Sequence, residues 1–248
     1  YIANPQDGGA AYSEGIGYGM LLAVANADRG TLDALWQFYG ANTDGNGLMH
    51  WRIAGCGSAS GQGSAADGDL DVAMALVQAS CRWAGSYADQ DRALLGQIMA
   101  REVASYAGVQ VLKPGANFND ITCVNPSYFA PGFFRVFAKF TGNATWDKLA
   151  NDTYITLGRL AHSATGLVPN WGHLDGKSPQ GECARPEATL YGYDAARTPW
   201  RLAADYLWWG SEPAKAHLTK IVTWVKGRGI ESIGDKYNTD GSLKDRST

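Results

Sequence analysis

Charge is scarce in this chain, and neither sign dominates. Only 18% of its 248 residues are Asp, Glu, Lys or Arg, and the formal net charge is -3. Without a basic stripe there is no electrostatic footprint for nucleic acid or for an anionic membrane surface, so neither is expected as a partner. Long hydrophobic runs are missing as well: a stretch such as "MLLAVANA" (20–27) stops far short of a bilayer span. Cysteine is limited to Cys56, Cys81, Cys123 and Cys183, with no CxxC and no His at a zinc-site spacing, so no metal is expected. Cys56 and Cys123 fall in loop-like segments and are the better disulfide candidates, although the sequence does not give the pairing. Cys81 sits in a helical pattern beside Ala73, Val77 and Ala84 and reads as a buried free thiol. The opening "YIANPQDGG" lacks the ordered basic, apolar and small-residue regions of a signal peptide, which leaves export open.

What is present points to a globular protein. Hydrophobic residues make up 45% of the chain, enough for a sizeable core at the length of one large domain. Nine Trp and twelve Tyr are many for this length. Trp51, Trp171, Tyr128, Tyr191 and Tyr193 lie in loop-like segments, where flat apolar faces with polar edges suit a ligand such as a sugar ring. Trp36, Trp83, Trp146 and Trp224 read as core. Helical periodicity broken by glycine-rich loops predicts helices near 14–29, 31–41, 68–84, 87–107, 127–140, 144–162, 195–209 and 212–227. Loops 42–66, 108–125 and 163–193 separate them and should hold any small β-hairpins. Two of these loops echo one another: "TDGNGLMHWRI" (43–53) and "SATGLVPNWGH" (163–173) each carry a Gly-Leu pair shortly before a Trp.

Three acidic stretches carry candidate chemistry. In "SEGIGYGM" (13–20), Ser13 can cap a helix and place Glu14 in its first turn, where the helix dipole favours an anion. A surface Glu matching that dipole would be the ordinary explanation. However, Gly15 and Gly19 each cost a helix about 1 kcal/mol relative to Ala, so something is expected to approach this backbone closely. In "AADGDLDVAMALVQASCRW" (65–83), Asp67, Asp69 and Asp71 cluster before an apolar helix. A calcium loop fails here, because the required bidentate Glu falls at Gln78; capping by Asp67 explains one of the three at most. In "LYGYDAARTPWRLAADYLWWG" (190–210), Asp194 precedes a helix carrying Arg197. An N-cap Asp paired with that Arg competes with a ligand-facing surface formed with Tyr191, Tyr193 and Trp200.

"SEGIGYGM", "ADGDLDVAMALVQASCRW", "NPSYFAP" (125–131) and "GYDAARTPWR" (192–201) together resemble glycoside hydrolase family 8, in the same order and across most of the chain. The departures are mild: Ala66 stands where Ser or Thr is common, and Val72 where Ile or Met is common. The resemblance implies an all-α fold, an (α/α)6 barrel with small β-hairpins in its loops. It implies inverting hydrolysis of β-1,4 links without a cofactor. Residue by residue it makes Glu14 the general acid, Asp194 the general base and Asp67 the aspartate that binds and distorts the sugar at the cleavage point. Arg197 would orient the base, Tyr128 and Tyr193 would surround the same sugar, and Trp51 would be a stacking platform. Trp171, Phe118 and Asp69 complete the expected substrate-binding set.

Inversion needs a protonated carboxyl at the leaving oxygen and a carboxylate that activates water on the opposite face. The apolar and glycine neighbours of Glu14, with Asp67 as a nearby like charge, suit the first task, and Arg197 suits the second. The expected activity is therefore endo-acting cleavage of cellulose or a related β-glucan. Xylanase, lichenase and chitosanase are alternatives within the family; the resemblance sets chitosanases apart, because that branch commonly lacks an Asp at the position of Asp194. A catalytically inactive carbohydrate-binding fragment is the alternative of another class. Eight helices against the family's twelve suggest one catalytic domain over 1–248, truncated at both ends, with a second chain or fragment as a candidate partner completing the barrel. A polymeric substrate implies a secreted or periplasmic location. The sequons Asn143-Ala-Thr145 and Asn151-Asp-Thr153 are read as chance.

Overall fold

The computed structural model describes residues 1–55 and 57–246. It is mostly helical and consists of two compact units, one formed by Tyr1–Val103 with Pro114–Asn117 and the other by Ala104–Lys113 with Phe118 onward.

The first unit holds α1 (Ser13–Ala25), α2 (Arg29–Ala41), α3 (Ala66–Arg82) and α4 (Tyr87–Arg101). A small antiparallel sheet joins β1 (Ala11–Tyr12), β2 (Arg52–Ala54) and β3 (Ser58–Gly61) in that order. Every residue of α3 from Ala66 to Val77 is buried, three aspartates included. A helix buried on all sides needs neighbours that come close, and glycine allows it. A Cβ on Gly17 of α1 would stand 2.7 Å from the Asp71 Cβ, and one on Gly68 of α3 would stand 2.6 Å from the Ser13 Oγ. The costly glycines of α1 are thus partly explained: Gly17 admits α3, and Gly19 admits the Ile2 and Leu35 side chains. Gly15 has only Ile2 near it, at 3.9 Å.

The second unit holds α5 (Pro131–Thr141), α6 (Ala144–Leu160), α7 (Thr198–Trp209) and α8 (Glu212–Arg228). Gly132 of α5 repeats the close approach, since a Cβ there would lie 2.9 Å from the Asp205 backbone nitrogen of α7. Buried Asp205 receives the Arg135 Nε at 2.8 Å and the Tyr154 hydroxyl at 2.6 Å, tying α5 and α6 to α7. Pairs β6 (Cys123–Val124) with β7 (Gly172–His173), and β8 (Leu190–Tyr191) with β9 (Lys236–Asn238) and β10 (Leu243–Asp245), stitch the loops.

All eight predicted helices are present, with corrected ends. The span 87–107 is too long: β4 (Val103–Tyr106) and β5 (Val109–Leu112) form a hairpin there, turning at Ala107 and Gly108, both with positive φ. A two-residue turn of that hand matches strand twist, but Ala-Gly lacks the Asn or Asp that usually announces it. Ser13 does not cap α1. Tyr12 occupies the cap position with no side-chain hydrogen bond, because strand β1 runs directly into the helix. Asp67 does not cap α3 either; the helix starts one residue earlier, with Ala65 as the cap residue. Asn143 and Ser211 do cap, accepting from Thr145 N–H at 3.0 Å and Ala214 N–H at 3.4 Å. Cys123 pairs with Cys183, 60 residues on, while Cys56 lies outside the described residues. Cys81 is free but exposed, since α3 emerges from the core before its last turn. Of the four core tryptophans, Trp146 is fully buried; Trp36, Trp83 and Trp224 are half-buried, stacked on Tyr39, tilted against Tyr87 and edge-to-face with Tyr237, respectively.

Candidate active site

In the first unit the candidates cluster where α1 meets α3. Glu14, in the first turn of α1, accepts the Tyr18 hydroxyl at 2.8 Å, one helical turn along. It borders a cavity of about 310 Å³ with Tyr12, Tyr18, Asn4 and Ile2. The approach of Gly68 to the Ser13 and Glu14 backbones sets Asp67 against the start of α1. Asp67 is buried and accepts the Gly68 N–H at 2.9 Å. Trp51 lies flat on the backbone of Gly61, where a Cβ would fall 2.3 Å from the ring, and its carbonyl accepts the Ser13 N–H at 3.1 Å. The ring remains 40% exposed, a supported apolar platform one strand away from α1.

Arg52 grips Asp7 with Nε and Nη2, both at 2.7 Å, and Tyr12 donates to the same carboxylate. Those bonds hold Asp7 down at about 2, with the Arg52 contact as the main cause. The network fixes the strand that leads into Glu14, and nothing in the sequence patterning singled out Asp7 or Arg52.

Asp69 differs from its expected place. It is fully buried and takes the Tyr39 hydroxyl at 2.5 Å, so it faces the interior of the unit. Burial is the main cause that lifts its carboxyl well above the usual range, followed by the neighbouring Glu102 carboxyl.

In the second unit, three donors from separate segments converge on Asp194. Trp171 Nε1 donates to Oδ2 at 3.1 Å, Asn125 Nδ2 donates to Oδ2 at 3.4 Å, and Arg197 Nη2 donates to Oδ1 at 3.2 Å. Asp194 begins a short 3-10 turn, Ala195–Arg197, without capping it by its side chain, so the carboxylate is left to these donors. It is still 41% exposed. Arg197 also donates to the Ser127 Oγ at 3.0 Å and lies over the Tyr128 ring at 5.4 Å. Ser127 in turn donates to Asn125 Oδ1 at 2.7 Å, closing a ring of contacts around the base of the site.

Trp171 is held by its own packing. Phe118 stacks on it at 5.8 Å, Tyr128 meets it edge-on at 6.4 Å, and the Cys123–Cys183 disulfide packs against it. Behind it, Asn170 Oδ1 accepts the Gly192 N–H at 3.1 Å and the Ala195 N–H at 2.9 Å, which fixes the backbone on both sides of Asp194. Tyr193 projects outward, 68% exposed, with the Lys236 ammonium 5.8 Å from its ring. Asn125, Ser127 and Asn170 were not singled out from sequence. Asn125 and Ser127 flank the proline of "NPSYFAP", and Asn170 precedes Trp171 inside the echoed loop.

That echo has a structural counterpart. Gly47 and Gly166 both take positive φ, at 80° and 72°, and Leu48 and Leu167 after them are fully buried. The tryptophan that follows stands immediately before a short strand in each unit, β2 after Trp51 and β7 after Trp171. Among the described residues no helix is long and apolar enough to cross a membrane, and no cluster of three or more His, Cys, Asp or Glu could hold a metal ion.

The arrangement offers an oriented, solvent-accessible carboxylate beside aromatic rings in one unit, and in the other two carboxyl residues, Glu14 and Asp67, at the starts of two helices in backbone contact, with the exposed Trp51 on the segment bonded to Ser13. Known proteins carry the same frame. Endoglucanase 2 of Ruminiclostridium josui is 39% identical over 237 residues, covering 93% of this chain and 50% of that protein. Endoglucanase A of Acetivibrio thermocellus is 35% identical, covering 93% of this chain and 49% of that one. This chain thus spans about half the length of these curated relatives. Among solved structures, a β-1,3-1,4-glucanase from Paenibacillus sp. X4 matches with a TM-score of 0.88 at 28% identity, over 98% of this chain and 70% of that one. A GH8 endo-β-1,4-glucanase from an Achatina fulica gut metagenomic library matches with a TM-score of 0.83 at 30% identity, over 97% of this chain and 77% of that one. The model of glycosyl hydrolases family 8 matches residues 4–242, and the chain belongs to that family.

Proposed function

We propose that the chain supplies the catalytic residues of an endo-acting β-1,4-glucanase that cleaves cellulose or a related β-glucan with inversion. The observation that carries this reading is the Asp194 carboxylate, held by Trp171, Arg197 and Asn125 yet open to solvent. A carboxylate so fixed is equipped to take a proton from water as the water attacks the sugar. Glu14 is the proposed acid at the leaving oxygen. Asp67 is proposed to bind and distort the sugar at the cleavage point, with Trp51, Tyr128, Tyr193, Trp171 and Phe118 as the aromatic surfaces for its faces. No metal or cofactor takes part in this scheme.

The test is hydrolysis of carboxymethyl cellulose, read as reducing-sugar release, with binding to the same polymer measured in parallel. Glu14→Gln and Asp194→Asn should each reduce release by orders of magnitude and leave binding in place. Near-parental release from either variant overturns the assignment, and binding without release by the unaltered chain favours a carbohydrate-binding role. Relatives named as exo-oligoxylanases make xylan the second substrate to compare, beside lichenan and chitosan.

We further propose that the exposed apolar residues Tyr206, Leu207 and Trp208 of α7 are covered by additional helices of an (α/α)6 barrel, in keeping with the greater length of the relatives. The Cys123–Cys183 bridge supports a secreted or periplasmic location, because disulfides persist in oxidising compartments.

A further inference from the structure

Beneath the first unit's candidate residues lies a second pair of carboxyls that the scheme above leaves without a task. Asp69 stands in the first turn of α3 and Glu102 at the C-terminal end of α4, and both are fully buried. Each has one oxygen held by a hydroxyl: Tyr39 donates to Asp69 Oδ1 at 2.5 Å, and Ser64 donates to Glu102 Oε1 at 2.6 Å. Ser64 is fixed in turn by the Ala116 N–H at 2.9 Å. Among the described residues, no N–H or hydroxyl reaches the other oxygen of Asp69. The neighbouring group that acts on Asp69, by its charge and at hydrogen-bonding range, is the Glu102 carboxyl.

Two carboxylates in contact away from water would each face desolvation and mutual repulsion, and neither could donate to the other. One proton between them removes a charge and supplies the missing donor at once. We propose that Asp69 and Glu102 are positioning residues that share a single proton, and that this carboxyl pair fixes the first turn of α3 and, through it, the Asp67 side chain two residues earlier. The pair links α2 through Tyr39, α4 through Glu102, the segment before α3 through Ser64 and the 114–117 segment through Ala116. The titratable groups acting on Asp69 are Glu102 from α4, Tyr39 from α2 and Asp67 from α3 itself, while α1 presents Ser13 and Gly17 to this part of α3. Both carboxylic neighbours raise Asp69 and so favour retention of the proton. The effect on Asp67 rests on the functional reading above; the shared proton does not.

Infrared difference spectroscopy of the full chain, from neutral to alkaline pH, tests the proton. It is done in an Asp91→Asn, Glu14→Gln background, because buried Asp91 is pushed up to about 8 and holds a proton of its own, and Glu14, as the proposed acid, carries one in the scheme above. A protonated-carboxyl band is expected at neutral pH, and both Glu102→Gln and Asp69→Asn should abolish it. A band that is absent from the background protein, or unchanged in both variants, overturns the shared proton. Activity tests the coupling. Glu102→Gln replaces the proton with an amide donor and should retain most of kcat while moving the alkaline limb of the pH profile by about one unit or more. Glu102→Ala should lose about tenfold or more in kcat with little change in KM. An alkaline limb that stays in place in Glu102→Gln overturns the positioning role. If Glu14→Gln proves as active as the parent, the functional reading fails, and the infrared band still decides the proton.

Discussion

Gly68 touches the first turn of α1 so closely that the methyl group of an alanine there would stand 2.8 Å from the Glu14 backbone nitrogen. The Ser13 Oγ, at 2.6 Å, could turn aside, but the Ser13 carbonyl carbon at 2.7 Å and the Glu14 nitrogen are backbone atoms and cannot. Gly68→Ala is expected to push the helices apart at a cost of about 1–3 kcal/mol and to lower kcat by displacing Glu14 from Asp67. Gly15→Ala makes the contrast, since the nearest atom would be 3.9 Å away. There the higher helix propensity of alanine should raise stability by about 0.5–1 kcal/mol. Urea denaturation of the two variants checks both signs.

Trp171→Phe keeps a ring for Phe118 and the disulfide to pack against but removes the N–H donated to Asp194. A hydrogen bond to a charged group is worth roughly 1.5–3 kcal/mol, so a loss of about tenfold or more in kcat is expected, with a smaller change in KM. Steady-state kinetics on a soluble β-glucan reads the split. Equal loss through KM alone would mark Trp171 as a sugar platform and not as a holder of Asp194.

Asp91 of α4 is buried, and among the described residues neither of its carboxyl oxygens has a hydrogen-bond partner. Burial pushes it up from 3.8 to about 8. A folded-state value above the unfolded one means that the folded chain binds the extra proton. The stability this supplies is complete below the unfolded value and is lost as pH rises through the folded one. At 1.36 kcal/mol per unit the full effect is on the order of 5 kcal/mol, spread between about pH 4 and 8. Asp91→Asn should therefore gain stability relative to the parent as pH rises across that window. Thermal unfolding at a series of pH values measures it, and a constant difference between the two proteins would contradict the assignment.

The Cys123–Cys183 bridge closes a 60-residue separation. The chain-entropy model gives such a loop about 4 kcal/mol. Reduction, or Cys183→Ser, should lower the urea midpoint of the second unit and release Trp171 from its support, with a change in tryptophan emission. The first unit, which holds neither cysteine, should respond far less.

Much of the frame was legible from periodicity, because amphipathic helices, capping residues such as Asn143 and Ser211, and the spacing of acidic stretches are local signals. Four kinds of feature were not. The Val103–Leu112 hairpin turns on Ala-Gly, which carries no strong turn signature. Cys183 sits in a loop where nothing local reports that Cys123 is its partner. The depth of Asp69 depends on Tyr39 and Glu102, which approach from other helices. The donors around Asp194 come from residues 125, 171 and 197, so only folding reveals that they meet. The glycines of α1 fall between these cases: their cost was visible in the sequence, but which of them meets α3 was not.

The Gly17 and Gly68 contact also divides the first unit by how readily it can change. Where α1 and α3 meet, Gly17 and Gly68 leave no room for a larger side chain, so inherited variation at these two positions cannot retune the spacing of the helix starts that carry Glu14 and Asp67 by small steps. The exposed positions of the loop that carries Trp51 are under less constraint, although Gly61 must stay open to the indole and Leu48, Met49 and Ile53 are core residues. Lineages that adapt this scaffold to a different glycan are therefore expected to diversify in residues 42–63 while the two helices stay as they are.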